Sequence, residues 1–224
     1  MGERRRNIFS DKASLVLRTM FAQPEKKWVI RDFTEKLPLS IGFVAEIISE
    51  MDQGGYIERV KKGSLSYSVL TNKKRLIRDW NNYYSIGSNK IELYYNENLH
   101  LSQIKDFFSH KNLESSYALT LHSGGNLMTS LVSTNNAYFY LKGSLSEKQR
   151  LELKQQLNLK QLVKGGNIFI INPYYKKSIF ETVREIDGYT VVSDLQLYLD
   201  LFHFNPRGRE HAEFLENHLF NQGD

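Results

Sequence analysis

Leu39-Ser40-Ile41-Gly42-Phe43-Val44-Ala45-Glu46-Ile47-Ile48-Ser49-Glu50-Met51, followed by Gly54-Gly55-Tyr56-Ile57, is the stretch on which the reading of this chain turns. Val44, Ile47, Ile48 and Met51 fall at i, i+3, i+4 and i+7, the spacing of one apolar stripe on an α-helix. Ser40 stands where such a helix needs an N-cap, and the glycine pair closes it. Upstream, Asp11 to Ala22 predicts a helix capped by Ser10 or Asp11, with Val16, Met20 and Phe21 on one face and Pro24 behind it. Ile30, Phe33 and Leu37 predict a second, short amphipathic helix stopped by Pro38. Downstream, Tyr56 to Lys61 alternates, Lys62-Gly63 supplies a turn, and Leu65, Tyr67 and Val69 alternate again, which predicts a β-hairpin. A further helix is expected from Asn72 to about Tyr84.

Helix, short helix, longer helix, glycine and hairpin is the element order of a winged helix-turn-helix, and the quoted stretch resembles the recognition-helix segment of bacterial winged-helix regulators. Charge agrees with that reading. Residues 1–84 hold 16 Lys+Arg against 10 Asp+Glu, whereas the remainder holds 14 against 15, so the net +5 of the 224-residue chain lies in its first third. Such an asymmetry points to a basic module for a polyanion joined to a near-neutral module with another task. Double-stranded DNA, as an operator, is the expected partner, and a homodimer on DNA is compatible with it.

The residues expected at DNA fall into two sets. Ser40, Gly42, Phe43, Glu46 and Ser49 lie on the helix face turned away from the apolar stripe. Phe43 could touch a thymine methyl and Ser40 or Ser49 a phosphate, but no bidentate guanine reader stands there. The cations surround that helix: Arg4, Arg5 and Arg6 in an N-terminal arm, Lys26 and Lys27, Arg31, then Arg59, Lys61 and Lys62 in the hairpin and Lys73, Lys74 and Arg75 after it. They suit phosphate neutralisation, and an Arg-rich arm can enter a minor groove.

Ser85 to Asn89 is small, polar and Gly-containing, so the expected division is 1–84, a linker at 85–89 and a second domain over 90–224. In that domain strands are expected at Ile91 to Tyr95, Tyr117 to Leu121, Ala137 to Leu141 and Asn167 to Ile171. Helices are expected at Leu101 to Phe108, Asn126 to Val132, Ser144 to Leu157 with a Ser144/Glu147 capping box, Asp194 to Phe202 and Arg207 to Phe220. The fold class that results is α+β: a winged helix followed by a mixed α/β domain with a central sheet and two C-terminal helices.

Two patterns in this second domain resemble the AbiEi family of antitoxins and transcriptional regulators of bacterial type IV toxin-antitoxin systems. One is Tyr117-Ala118-Leu119-Thr120 before a Gly-containing helix start. The other is Val191-Val192-Ser193-Asp194-Leu195-Gln196-Leu197-Tyr198-Leu199-Asp200-Leu201 with Arg207-Gly208-Arg209-Glu210-His211-Ala212-Glu213-Phe214-Leu215. Asp194 replaces the family's usual Pro, a change a helix start tolerates. The resemblance implies repression of the protein's own operon by the first module and antagonism of a nucleotidyltransferase-type toxin by the second, without need of a stable complex. It singles out Gln196, Asp200, Arg207 and Arg209 for antitoxin function. Read from the residues alone, Ser193 and Gln196 cap a helix, and Asp200 pairs with Arg207 or Arg209 across a loop.

No enzyme, metal or cofactor is expected. Zero cysteines remove thiolate sites and fit a reducing cytoplasm, no His-Glu-x-x-His pair occurs among six histidines, and His211 and His218 lie two turns apart. Ser123-Gly124-Gly125 looks like a turn before a helix but lacks the Lys-Ser/Thr of a P-loop. Glu92, Asp106 and Glu114 with Lys142 would be the carboxylates of a nuclease, yet no compact motif joins them. Met1 to Arg6 resembles the basic start of a signal peptide, but Asp11, Lys12 and Arg18 interrupt the next segment, so the chain is expected to start near Met1. No apolar run of about 18 residues occurs, so no membrane span is expected. The rival readings are a winged-helix regulator with a ligand-sensing second domain and a DNA-targeted nuclease.

Overall fold

A computed structural model describes residues 6–62 and 65–220, with side chains for all of these except 62, 65 and 217–220. The chain divides into two compact units, Met1–Tyr83 and Tyr84–Asp224. Together they form an α+β protein with nine α-helices among the described residues.

The first unit contains α1 (Asp11–Ala22), α2 (Ile30–Lys36), α3 (Ile41–Gln53), the strands β1 (Ile57–Lys62) and β2 (Leu65–Leu70), and α4 (Lys73–Tyr83). Ser40 caps α3 by accepting a hydrogen bond from the Phe43 amide, and Val44, Ile47, Ile48 and Met51 are buried, as the spacing requires. At the far end Gly55 takes φ +69°, a left-handed conformation that glycine adopts without strain, and the Tyr56 amide closes back on Met51 O. Leu37 is extended because Pro38 follows it, which ends α2. β1 and β2 pair antiparallel, and Trp28 adds one bridge to Ser68 through two main-chain hydrogen bonds of 2.9 and 2.8 Å. Trp28 then stacks on Phe33 at 4.9 Å, and Trp80, Leu15 and Leu17 of the same unit are buried as well.

The second unit is built on seven strands: β3 (Lys90–Tyr95), β4 (Tyr117–Leu119), β5 (Ala137–Leu141), β6 (Lys160–Leu162), β7 (Ile168–Asn172), β8 (Arg184–Ile186) and β9 (Tyr189–Val191). Their order is β6-β3-β7-β5-β4-β9-β8, with β5·β7 and β4·β9 parallel and the remaining neighbours antiparallel. One face, with Tyr94, Tyr117, Leu119, Phe139 and Ile170, is covered by α5 (Leu101–His110) and α7 (Glu147–Gln156) through Ile104, Phe107, Phe108 and Leu153. Residues between these on each strand point to the other face. There α6 (Leu121–Thr129) packs on β5, and α8 (Asp194–Phe202) and α9 (Gly208–Phe220) pack on α6 and on each other.

Four local expectations are corrected. The segment expected as a linker is a 3-10 turn over Ile86–Ser88 with Ile86 buried, so it is a folded part of the second unit. α6 begins five residues before Asn126 and takes Ser123-Gly124-Gly125 inside it. The Gly124 amide is spent on Thr120 O, and side chains at the two glycines would collide with Val191, Leu197 and the His211 ring. The capping box of α7 is Ser146/Gln149 rather than Ser144/Glu147, since Leu145 has to reach the core before the helix can start. β6, β8 and β9 were not expected; at three residues each they are too short to show a period.

Candidate functional site

In the first unit the exposed side of α3 opens with Ile41, 58% exposed, and Gly42, with open space around its Cα. Phe43 is half-buried beneath two cations, with Arg6 and Lys12 each 4.8 Å from its ring centroid. Arg6 also bonds Glu46 at 2.7 Å, and Ser49 is half-buried near Gln53. The thymine-reading surface expected of Phe43 is therefore shielded by the arm that begins at Arg6. Arg4 and Arg5 lie outside the described residues, as does the side chain of Lys62.

The other cations take different positions. Lys26 pairs with Asp32 at 3.3 Å and lies over Trp28, and Lys27 lies over Tyr67 at 5.2 Å. Arg31 on α2 and Lys61 on β1 are exposed, and Arg59, two residues before Lys61, is half-exposed. Arg75 crowns Gly55 and pairs with Asp79, which also accepts from the Tyr56 hydroxyl. Burial and that carboxylate push the Tyr56 phenol up to about 12, so it stays a donor.

The second unit has its densest polar chemistry at Asp200, which is fully buried in α8. Oδ1 accepts from the Tyr84 and Tyr140 hydroxyls (2.7 and 2.9 Å) and from Gln196 Nε2 (2.7 Å), and Oδ2 accepts from Thr120 Oγ1 (2.6 Å). Asn89 Nδ2 and Gln196 Nε2 donate in turn to the Tyr84 hydroxyl. Burial pushes the Asp200 carboxyl up to about 6 against these four donors, and both buried tyrosines are pushed well above their ordinary range. The cluster joins α8 to the first residue of the unit, to the β4–α6 junction and to β5.

The pairing of Asp200 with Arg207 or Arg209 is overturned. Asp200 faces inward, while Arg207, just before α9, pairs with Glu210 at 2.9 Å and Arg209 with Glu213 at 3.1 Å, all four being exposed. Ser193 caps α8 as expected, accepting from the Gln196 amide, but the Gln196 side chain turns to Tyr84 and Asp200. Sequence reasoning missed Tyr84, Thr120 and Tyr140, whose distances along the chain from Asp200 carry no signal.

It also missed a histidine pair. His122 on α6 and His211 on α9 stack at 11°, with Nδ1 atoms 3.0 Å apart. Pro206 O can only accept, so His122 Nε2 carries a hydrogen and its Nδ1 accepts from His211 Nδ1. His211 Nε2 lies 2.9 Å from Thr129 Oγ1, whose hydroxyl donates to Gly125 O at 3.2 Å. Burial together with the neighbouring His122 pushes His211 down to about 4, and burial lowers His122 as well, which favours the neutral form of both rings.

The carboxylates of a nuclease are not assembled. Glu92 is held by Tyr94, Asn172 and Lys154, and Asp106 is exposed on α5. No group of three His, Cys, Asp or Glu among the described residues could hold a metal ion. No described helix is long and apolar enough to cross a membrane.

Comparison with protein families matches residues 69–220 to the family described as transcriptional regulator, AbiEi antitoxin, type IV TA system. No curated protein and no solved structure gives a significant match. The match takes in α4, the whole seven-stranded sheet and its helices, including the Asp200 cluster and the histidine pair. Since it covers more than half of the chain, this protein belongs to the AbiEi family of type IV toxin-antitoxin transcriptional regulators and antitoxins.

Proposed function

We propose that residues 1–83 form a winged helix-turn-helix that binds operator DNA and represses the protein's own operon, and that residues 84–224 antagonise a nucleotidyltransferase-type toxin. The family match carries the antitoxin part of this reading. The DNA part is supported by a capped α3 with an open first turn, the paired strands after it, and the confinement of excess positive charge to this unit. Arg31, Arg59 and Lys61 contact phosphates, together with Lys27 and the N-terminal arginines. α3 offers Ile41, Gly42 and Ser40 to the groove, and Glu46 holds Arg6 until a phosphate displaces it. The protein acts on nucleic acid as a regulator rather than an enzyme, as one copy or two per operator.

Gln196 and Asp200 serve the antitoxin role by fixing α8 from inside, because neither reaches the surface. Arg207, just before α9, and Arg209, on it, are exposed and are the members of that set able to meet a partner. The test joins a reporter driven by the chain's own promoter with growth rescue beside the cognate toxin. Repression and rescue by the intact protein are expected, and loss of both in the wild type would sink the reading.

A further inference from the structure

Edge strands expose a row of main-chain donors and acceptors, and proteins usually shield them with charge. β8, at one end of the sheet, does so with Arg184, paired to Asp194, and with exposed Glu185. β6, at the other end, carries a single charge, Lys160, among its three residues. All three of its residues are exposed, no described strand pairs with its outer edge, and apolar surface collects around it. Tyr95 on the neighbouring β3 is 40% exposed, Leu162 37%, and Val163, the next residue, 100%.

We propose that a second copy of this chain docks on the outer edge of β6, the two β6 strands pairing antiparallel about a two-fold axis through Gln161. Leu159-Lys160-Gln161-Leu162-Val163 is self-complementary when read against itself in reverse. Leu159 falls opposite Val163, Lys160 opposite Leu162, and Gln161 opposite its own copy, so no like charges face each other. Leu159 already packs against the core beneath α5 and α7, and the copy's Val163 extends that core across the axis. On the opposite face, the Tyr95↔Lys160 and Leu93↔Leu162 pairs of β3 and β6 place two cross-strand rows that the partner continues.

Charge also fits. An antiparallel arrangement brings the C-terminal end of the copy's β6, where Lys164 follows, to the N-terminal end of the first β6. That end lies beside the C-terminal end of β3, where Glu97 follows two residues after Tyr95. Each copy's Lys164 thus stands on the same side of the sheet as the other's Glu97, two strand spacings or about 10 Å away across β6, and the contact is isologous and closed.

Gln161→Cys tests the axis, since the chain has no cysteine of its own. Residues directly opposite in an antiparallel pair have Cα atoms roughly 4.5–5.5 Å apart, within disulfide range. Mild oxidation of the full-length variant should give a covalent dimer, whereas Glu185→Cys on β8 should stay monomeric. In sedimentation, the wild type should be a concentration-dependent dimer. Val163→Lys should raise the dissociation constant about tenfold or more, because each substitution acts twice across the axis. Its melting temperature at high dilution should not move, since Val163 touches nothing in the monomer. A wild type that stays monomeric at high concentration, a dimer indifferent to Val163→Lys, equal cross-linking by both cysteines, or open-ended polymers would each overturn the proposal.

Discussion

Asp200 and His211 respond to acid in opposite senses. Asp200 titrates at about 6 when folded against an ordinary 3.8, so within that window the folded chain keeps a proton the unfolded chain has released. Its contribution falls as pH rises, by on the order of 3 kcal/mol across the window. His211, pushed down from 6.5 to about 4, stays neutral when folded while the unfolded chain protonates, so stability present above 6.5 is lost as pH falls toward 4. His122 is shifted in the same direction as His211. The two effects oppose each other between about 4 and 6. Urea midpoints measured across that range should therefore rise with pH more steeply in Asp200→Asn than in the wild type, and less steeply in His211→Gln, where His122 alone opposes Asp200. Parallel profiles in all three proteins would assign the titration to other groups. On α3, Glu46→Ala should release Arg6 and tighten DNA binding with little change in log-log salt slope, since Arg6 reaches a phosphate in the wild-type complex too, an outcome read from binding titrations at several salt concentrations. Such pairings lay beyond sequence reading: the partners of Asp200 stand 116, 80, 60 and 4 positions away, and only the last is a helical spacing.

Whole elements were far more legible than their partners. α3 was readable because capping serine, apolar stripe and closing glycines all agree within 16 residues of sequence, from Ser40 to Gly55. α1, the hairpin and α8 were legible for the same reason. α6 was misread because two glycines signal a turn locally, whereas here they let α6 approach β9, α8 and the His211 ring. Gly125→Ala should accordingly cost about 1–3 kcal/mol, the range of an overpacked core, in chemical denaturation. Gly42→Ala, at an exposed helical position with open space, should instead stabilise by up to about 1 kcal/mol, and any loss of DNA affinity in that variant would report close approach of α3 to the duplex.

For the molecule as a whole, the charge asymmetry and the division after Tyr83 suit separate tasks in separate parts. Residues 1–83 expressed alone should bind duplex DNA with strong salt dependence, and residues 84–224 alone should rescue growth beside the toxin. Tyr84 belongs with the second fragment, because its hydroxyl is tied to Asp200. Within that fragment, Arg207→Ala with Arg209→Ala should reduce rescue while lowering the melting temperature only slightly, as the arginines make exposed local ion pairs and Arg209 one further contact over the Phe202 ring. Rescue by the intact chain but not by the fragment would show that the tasks are not separable.

Both tryptophans of the chain, Trp28 and Trp80, lie buried in the first unit, and the second has none. Intrinsic fluorescence excited at the red edge is thus a private signal of the first unit, while circular dichroism reports on both. Recorded together during one denaturation of the unlabelled wild type, the two signals separate if the units melt independently and coincide if they melt as one.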